Sequence, residues 1–370
     1  MILFCLIVCL LYIGLIGSFV YGFGKVKSFI SQDSTPKTKF SIVVPFRNEA
    51  RRLPALVESL SKLNYPQEAF EVLFVDDDSE DASAEQINLL KPGFSFQIIP
   101  NNRQSNSPKK DAITTAIKTA KFEYILTTDA DCIAPVNWLQ QYDAYIQETQ
   151  ASMVCGPVNF DNTRTFSTRF QHLELMSLMG ATIGGFGLNK PVMCNGANLC
   201  YSKKLFELLN GFENNNHIAS GDDIFLLEKV LKQDKKSVGF LKSLEATVIT
   251  KPEPTWEEAL QQRIRWASKT SRYKNGFAVF SGLVIALMNA LLVCLFVLAL
   301  FQQSNPKLFF FVFIIKLYID FLLIFKSTQF FKNREVLFSF LLSSLAYPFV
   351  SSYIVVASVF LPYKWKGRRF

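Results

Sequence analysis

Apolar residues fall along this chain in two patterns. In the middle they come as short runs, each cut off by polar or acidic residues. "KFSIVVPFRNEA" is a β-branched run closed by Pro45, "FEVLFVDDDSED" repeats the plan with acids at its end, and "FSFQIIP" and "FEYILTTDADC" follow. Between them lie helix-compatible stretches such as "SPKKDAITTAIKTA", with a Ser-Pro start and apolar spacing at Ile113, Ile117 and Ala120. Strands alternating with helices predict an α/β fold with a mostly parallel sheet wound in βα units. Ligands of such sheets bind beyond the carboxyl ends of the strands. Arg47–Glu49, Asp76–Ser79 and Thr127–Asp131 are therefore expected to converge on one crevice.

Toward the two ends the apolar positions run unbroken. Residues 2–23 carry no charge, and roughly 20 such residues cross a bilayer. A cleavable signal peptide would show a basic start, a shorter apolar core and a small-residue cleavage site. None stands out here, so a retained anchor is the favoured reading. Three further segments follow at 277–301, 308–325 and 336–361. The middle one holds Lys316 and Asp320 four residues apart, on one helix face, which predicts a structural pair and leaves a re-entrant segment open. The expected organisation is an anchor at 1–24, an α/β domain at 38–275, a membrane domain of two or three helices at 277–363 and a basic tail at 364–370.

Charge adds an orientation. The 370 residues are 49% hydrophobic with a net charge of +8. Lys25 and Lys27 follow the first apolar segment, and Arg263, Arg265, Lys269, Arg272 and Lys274 precede the second. Positive flanks stay in the cytoplasm, which predicts a multi-pass protein with a cytoplasmic middle domain held against anionic headgroups. Four crossings would put the tail "KWKGRRF" outside, against the same rule, so one of the last three segments is expected not to cross fully. No basic cluster with interleaved aromatics appears, so nucleic acid is not an expected partner. The seven cysteines form no CxxC pair, and with only His172 and His217 a zinc site is not expected. No P-loop or dinucleotide fingerprint is present.

Candidate chemistry lies in the acids. Asp129 and Asp131 end a buried-looking strand, where two like charges need solvent or a cation. Alone, such a triplet is commonly a surface loop, and "VDDDSED" reads equally as a helix cap. Their position after apolar strands, with Lys109 and Lys110 nearby in sequence, suits Mg²⁺ or Mn²⁺ whose shell a phosphorylated ligand completes. "ASGDDIFLLEKVL" sets Asp222 and Asp223 ahead of an apolar-periodic helix, as caps favoured by the dipole or as functional acids. "WEEALQQRIRWASKTSRYK" predicts a helix with Trp256, Leu260, Ile264 and Ala267 along one face. Its Gln262, Arg265 and Trp266 include a residue suited to phosphate oxygens and a ring suited to stacking on sugar. The same helix also reads as one lying on a membrane surface.

In order and spacing, "SIVVPFRNEA", "VDDDSED", "TTDADC", "CNGANLCYSKKLF", "SGDDIFLLEKVL" and "QRIRW", a QxxRW, resemble the membrane-bound family 2 glycosyltransferases. These include ceramide glucosyltransferases and the poly-N-acetylglucosamine and hyaluronan synthases. The resemblance spans most of residues 40–270 and implies a GT-A-type nucleotide-sugar-binding domain with transmembrane helices at both ends. It implies donor contacts at Pro45, Arg47, Glu49, Asp76, Asp77, Lys110 and Asp129. Asp129 and Asp131 would be the DxD, with Asp131 the more direct ligand of a divalent cation, Mg²⁺ or Mn²⁺. Asp223 would be the general base, and Asp222, Gln262, Arg265 and Trp266 would line the acceptor and diphosphate side. The tail "WKGRRF" is similar to that of bacterial members, which implies the bacterial inner membrane. One departure is Asp78, which stands where the family often has glycine. The implied activity is inverting, metal-dependent transfer of a sugar from a nucleotide-diphosphate donor to a membrane lipid or lipid-linked acceptor. A processive polysaccharide synthase is the alternative, with few apolar segments for a polymer channel. A non-catalytic membrane scaffold is the remote one, and it would be expected to lack one of these acids.

Overall fold

The computed structural model describes residues 1–31, 35–161, 163–361, 364–365 and 368–369; of the expected basic tail at 364–370, residues 366, 367 and 370 lie outside them. In chain order the first elements are α1 (Ile2–Lys25), β1 (Phe40–Phe46), α2 (Leu53–Ser61), β2 (Phe70–Asp76), α3 (Ser83–Leu90) and β3 (Ser95–Pro100). Then come α4 (Pro108–Thr119), β4 (Tyr124–Thr127), α5 (Trp138–Thr149), β5 (Met153–Cys155), β6 (Val158–Phe160) and α6 (Phe166–Gly187). β7 (Leu199–Ser202), α7 (Lys203–Leu208), α8 (Asp222–Gln233), β8 (Val238–Phe240) and β9 (Val248–Thr250) follow. The last helices are α9 (Trp256–Ser268), α10 (Gly276–Leu300), α11 (Pro306–Phe330) and α12 (Phe340–Phe360). Two compact units result, one of Lys27–Asp161 with Met193–Lys251, the other of Met1–Val26, Asn162–Val192 and Pro252–Phe370. The sequence-derived range 38–275 thus draws on both.

The first unit is the α/β body. Its larger sheet has the order β3-β2-β1-β4-β7-β5-β8, and β3, β2, β1 and β4 are parallel. β7 runs antiparallel between β4 and β5, while β6 and β9 form a separate parallel pair. Phe40, Ile42, Val43 and Val44 are fully buried, as expected of a central strand covered on both faces. The chain winds from β1 outward to β2 and β3, then returns to the other side of β1 as β4. That reversal makes the β1/β4 border a topological switch point, the place where such sheets hold ligands.

Pro45 opens this border. The β1/β4 ladder ends at the Val43–Thr127 pair, and the Thr128 N–H donates to Val43 O at 3.1 Å. Alternation along the strand turns the Pro45 nitrogen to that same side, one step beyond the last pairing. Its missing N–H therefore costs no ladder bond. On the opposite side β1 stays paired with β2 through Phe46 and Asp76.

The second unit gathers the long apolar helices. Among the described residues four are long and apolar enough to cross a membrane: Ile2–Lys25, Gly276–Leu300, Pro306–Phe330 and Arg334–Phe360. α6 packs on α1 at glycines, for a Cβ on Gly22 would sit 2.1 Å from Gly184 O. α9 opens with a capping box in which Thr255 Oγ1 accepts from Glu258 N and Glu258 Oε2 accepts from Thr255 N, at 3.2 and 3.3 Å. Its buried face differs from the expected one: Ala259, Arg263 and Ile264 are buried, whereas Trp256 is 39% exposed. The reason is electrostatic, since Arg263 Nε turns inward to Glu174 Oε2 of α6 at 2.8 Å.

His172 of α6 gives this unit a pH dependence. Its Nδ1 lies 3.0 Å from Thr163 Oγ1 and its Nε2 lies 3.1 Å from Asn333 Nδ2. Burial lowers its pKa to about 4. The unfolded imidazole titrates near 6.5, so the unfolded state takes the proton first as pH falls. Stability is therefore expected to be flat above pH 6.5 and to fall between about 6.5 and 4, by roughly 3 kcal/mol at most. Thermal unfolding in detergent should show this loss, and His172→Gln should reduce it. An identical acid loss in parent and variant would refute the assignment.

Candidate active site

The strand ends bring the predicted acids together in the α/β body. Asp76 closes β2, and its Oδ1 accepts from Ser79 N at 2.9 Å and Ser79 Oγ at 2.6 Å, which shapes the following turn. Asp77, buried beside it, accepts from Asn101 Nδ2 at 2.7 Å and Arg103 Nε at 2.5 Å. Arg47, past the end of β1, donates through Nη1 to Asp77 O at 2.8 Å and through Nη2 to Glu80 at 2.7 Å. Its Nε is buried with no hydrogen-bond partner among the described residues. Glu49 is buried, with its backbone N–H donating to Ser83 Oγ at 2.8 Å, and Pro45 is half-buried on the strand.

Asp78 explains the departure from the family pattern. Its φ of 64° lies in the left-handed region, where glycine is favoured and aspartate is among the few tolerated residues. Its side chain is 81% exposed and faces Arg47 and Arg103 at 3.6 and 3.7 Å; such surface pairs stabilise little. Asp78→Gly is thus expected to leave stability within about 1 kcal/mol of the parent, and Asp78→Val to lose about 1–2 kcal/mol. Equal melting of the two variants would contradict this account.

The second cluster lies across the switch point. Asp129 and Asp131 sit on the turn after β4, closed by the Cys132 N–H donating to Asp129 O at 3.1 Å. Burial, with Asp131 and Asp129 adding to it, raises the Cys132 thiol's pKa, so it stays protonated and donates to Asp131 Oδ1 at 3.8 Å. Lys109, in the first turn of α4, reaches Asp129 Oδ1 at 2.7 Å and Asp222 Oδ2 at 3.3 Å. Burial alone would lower its pKa, but Asp129, Asp222 and Asp223 outweigh that and raise it. The ammonium therefore stays charged and ties β4 to the start of α8.

Asp222 and Asp223 are the first two residues of α8, behind Gly221 at φ 83°, and not its cap. Asp222 Oδ2 faces Lys109, whereas Asp223 Oδ2 accepts from Gly196 N at 3.3 Å and its Oδ1 from Ile224 N at 2.7 Å. Gly196 is itself part of the site. A Cβ there would lie 2.7 Å from Asp222 Oδ2 and 3.4 Å from Lys109 Nζ.

The Lys110 ammonium donates to Asn215 O at 2.7 Å and Ile218 O at 2.9 Å, with the Phe225 ring 5.0 Å away. Successive helix residues point about 100° apart, and it is Lys109 that bridges Asp129 and Asp222. Ser107 likewise does not cap α4 but donates to Ala219 O at 3.2 Å.

Gln262, Arg265 and Trp266 belong to the other unit, on α9. Gln262 Nε2 donates to Glu253 Oε1 at 2.6 Å, and the Arg263 guanidinium lies over the Trp266 ring at 4.9 Å. Arg265 is half-buried. Asn101, Arg103 and Gly196 were not singled out by sequence, and Lys109 was named only as a neighbour of the acids in sequence. The signals were present: a second lysine one residue from the chosen one, and polar residues just past β3.

The carboxylates at the switch point fit a divalent cation shared with a ligand. Asp129 and Asp131 are hard oxygen donors. Among the described residues no group of three or more His, Cys, Asp or Glu side chains could hold a metal ion. A ligand's oxygens would have to complete the shell, as diphosphates do for Mg²⁺ and Mn²⁺.

Residues 41–209 match the family described as Glycosyl transferase family 2. The chain is 23% identical over 241 residues to the probable glycosyltransferase YdaM of Bacillus subtilis, covering 62% of this chain and 54% of that protein. It is 25% identical over 175 residues to a poly-beta-1,6-N-acetyl-D-glucosamine synthase of Staphylococcus epidermidis, covering 45% and 41%. It spans about half the length of the relatives it matches. The mannosyltransferase PcManGT of Pyrobaculum calidifontis, solved with GDP-Man and Mn²⁺, superposes with a TM-score of 0.59 at 16% identity, covering 91% of this chain and 99% of that one. That likeness shows a shared GT-A-like fold.

Proposed function

We propose, for a chain whose residues 41–209 are a family 2 glycosyltransferase domain, that it moves a sugar from a nucleotide diphosphate to a lipid. The donor is a nucleotide-diphosphate sugar, and the acceptor is a membrane lipid or lipid-linked hydroxyl reached from the cytoplasmic face. The observation that carries this reading is the Asp129–Lys109–Asp222 bridge beside Asp223, at the switch point of the sheet. Four helices apolar enough to cross a membrane support a lipid acceptor.

Asp129 and Asp131 would hold the divalent cation, which neutralises charge developing on the leaving diphosphate when bound. Lys109 adds a fixed positive charge beside them. Asp76 and Asp77, with Arg47, Arg103 and Asn101, form the nucleoside side of the crevice. Asp223 takes the proton from the acceptor hydroxyl as that oxygen bonds to the anomeric carbon. The bond from that carbon to the diphosphate oxygen breaks, and the nucleoside diphosphate leaves with the electron pair. One displacement inverts the anomeric centre. Lys109 and Gly196 keep the first turn of α8 in place, so Asp222 serves the positive side of the site and Asp223 the base.

Membranes containing the chain, given a set of radiolabelled nucleotide sugars, should move label into the organic phase as a single-sugar lipid. Label appearing as a water-soluble polymer would favour the processive reading instead. No transfer from any donor would defeat both. The cytoplasmic orientation has its own check: Asn214→Cys should resist a membrane-impermeant thiol label on intact cells. Ready labelling would reverse the orientation.

A further inference from the structure

Asp223 stands at the start of α8, yet part of what aims it comes from β4. Its Oδ1 accepts from Ile224 N at 2.7 Å and its Oδ2 from Gly196 N at 3.3 Å. The second bond is just past the usual range for N–H donors, so a small shift of Gly196 decides whether it forms. Gly196 is held at its other backbone group. Thr127, the last residue of β4, donates through Oγ1 to Gly196 O at 2.7 Å, with Leu199 O a longer second acceptor at 3.3 Å. A glycine has more backbone freedom than any other residue. The Gly196 N–H therefore keeps its direction because the carbonyl of the same residue is tied.

The far side of this turn is anchored independently. Asn198 is fully buried, and its Nδ2 donates to Pro157 O at 2.7 Å and Ala246 O at 2.8 Å. Its Oδ1 accepts from Trp138 Nε1 at 2.9 Å and Tyr142 Oη at 2.8 Å. Asn195 Oδ1 accepts from Ala197 N at 3.0 Å and closes the turn. Thr127 supplies the tie on the near side. It is 2% exposed, so its hydroxyl acts on Gly196 and not on a substrate. It also precedes Asp129 by two residues. The strand end that carries the DxD thus makes two links to α8. Lys109 makes the charged one, between Asp129 and Asp222. Thr127 makes the neutral one, through Gly196 to Asp223.

We propose that Thr127 is a positioning residue that aims Asp223 through Gly196 and so couples the base to the strand end bearing the DxD. The inference rests on the reading of Asp223 as general base and adds the residue that sets its direction.

The test compares Thr127→Val, Thr127→Cys and Thr127→Ser in the full chain, using the radiolabelled nucleotide sugar that the parent transfers. Valine keeps the shape and suits a strand but cannot donate. It should lower kcat by about tenfold or more and leave donor KM within about twofold. Serine keeps the donor and should regain most of kcat. Cysteine, a weaker donor, should fall between them, and it decides against serine if the valine variant fails to melt cooperatively. Placed in Asp223→Asn, Thr127→Val should cost less than about twofold more, because the two changes disable one device. An unchanged kcat in Thr127→Val, a serine variant as slow as valine, or a full tenfold cost persisting in Asp223→Asn each overturns the proposal. Hydrogen exchange in nanodiscs reads the tie without turnover: peptides spanning Gly196 and the start of α8 should exchange faster in Thr127→Val than in Thr127→Ser. Equal exchange overturns the tie. Faster exchange beside a fully active Asp223→Asn leaves the tie standing and removes the base assignment.

Discussion

Asp223→Asn is expected to lower turnover by about 10²–10⁴, the usual range for losing a general base, while donor binding and expression persist. The amide keeps the shape of the carboxylate and one acceptor oxygen. It can therefore still receive an N–H from Gly196 or Ile224, both of which the acid engages at 3.3 and 2.7 Å. What it cannot do is take the proton from the acceptor hydroxyl. Asp222→Asn is expected to be the milder change in turnover and to act on donor affinity, because Asp222 faces Lys109 at 3.3 Å. Steady-state rates and donor KM for the two variants separate these roles. A dead Asp222→Asn beside an active Asp223→Asn would shift the base by one residue. Two active variants would make both acids first-turn charges favoured only by the helix dipole.

The second large effect concerns the turn after β4. Asp131→Ala removes a half-buried carboxylate held in place by the Cys132 thiol. Several kcal/mol of leaving-group stabilisation pass through a cation held there, so the variant should lose about 10³-fold or more in kcat. EDTA should have the same effect on the parent, reversed by Mg²⁺ or Mn²⁺. The fold should survive, because the turn is closed by backbone bonding between Cys132 and Asp129. Full activity of metal-stripped membranes would remove the cation from the account.

Much of the α/β body was legible because its central strands are buried on both faces. Such strands leave apolar runs ended by the polar residues of the crevice, as "SIVVPF" and "FEVLFV" do. The site was legible to the same depth, at strand ends but not beyond them. That Lys109 bridges two acids depends on the rotation of α4, which the segment at 215–219 helps to fix by accepting from Lys110 and Ser107. The buried face of α9 was misjudged because Arg263 looks like a surface residue until Glu174 of a distant segment pairs with it. Asp78 stood out in the sequence only as a departure from the family's glycine, and its φ of 64° makes the position conformational first. The Lys316–Asp320 ion pair followed from four-residue spacing.

The most direct measurement of the central claim is the anomeric configuration of the product, read by NMR from the purified chain and its selected donor, with nucleoside diphosphate counted alongside. The account predicts inversion of the donor's configuration, one nucleoside diphosphate released per sugar transferred, and loss of both signals in Asp223→Asn. Retention of configuration would contradict a single displacement assisted by Asp223.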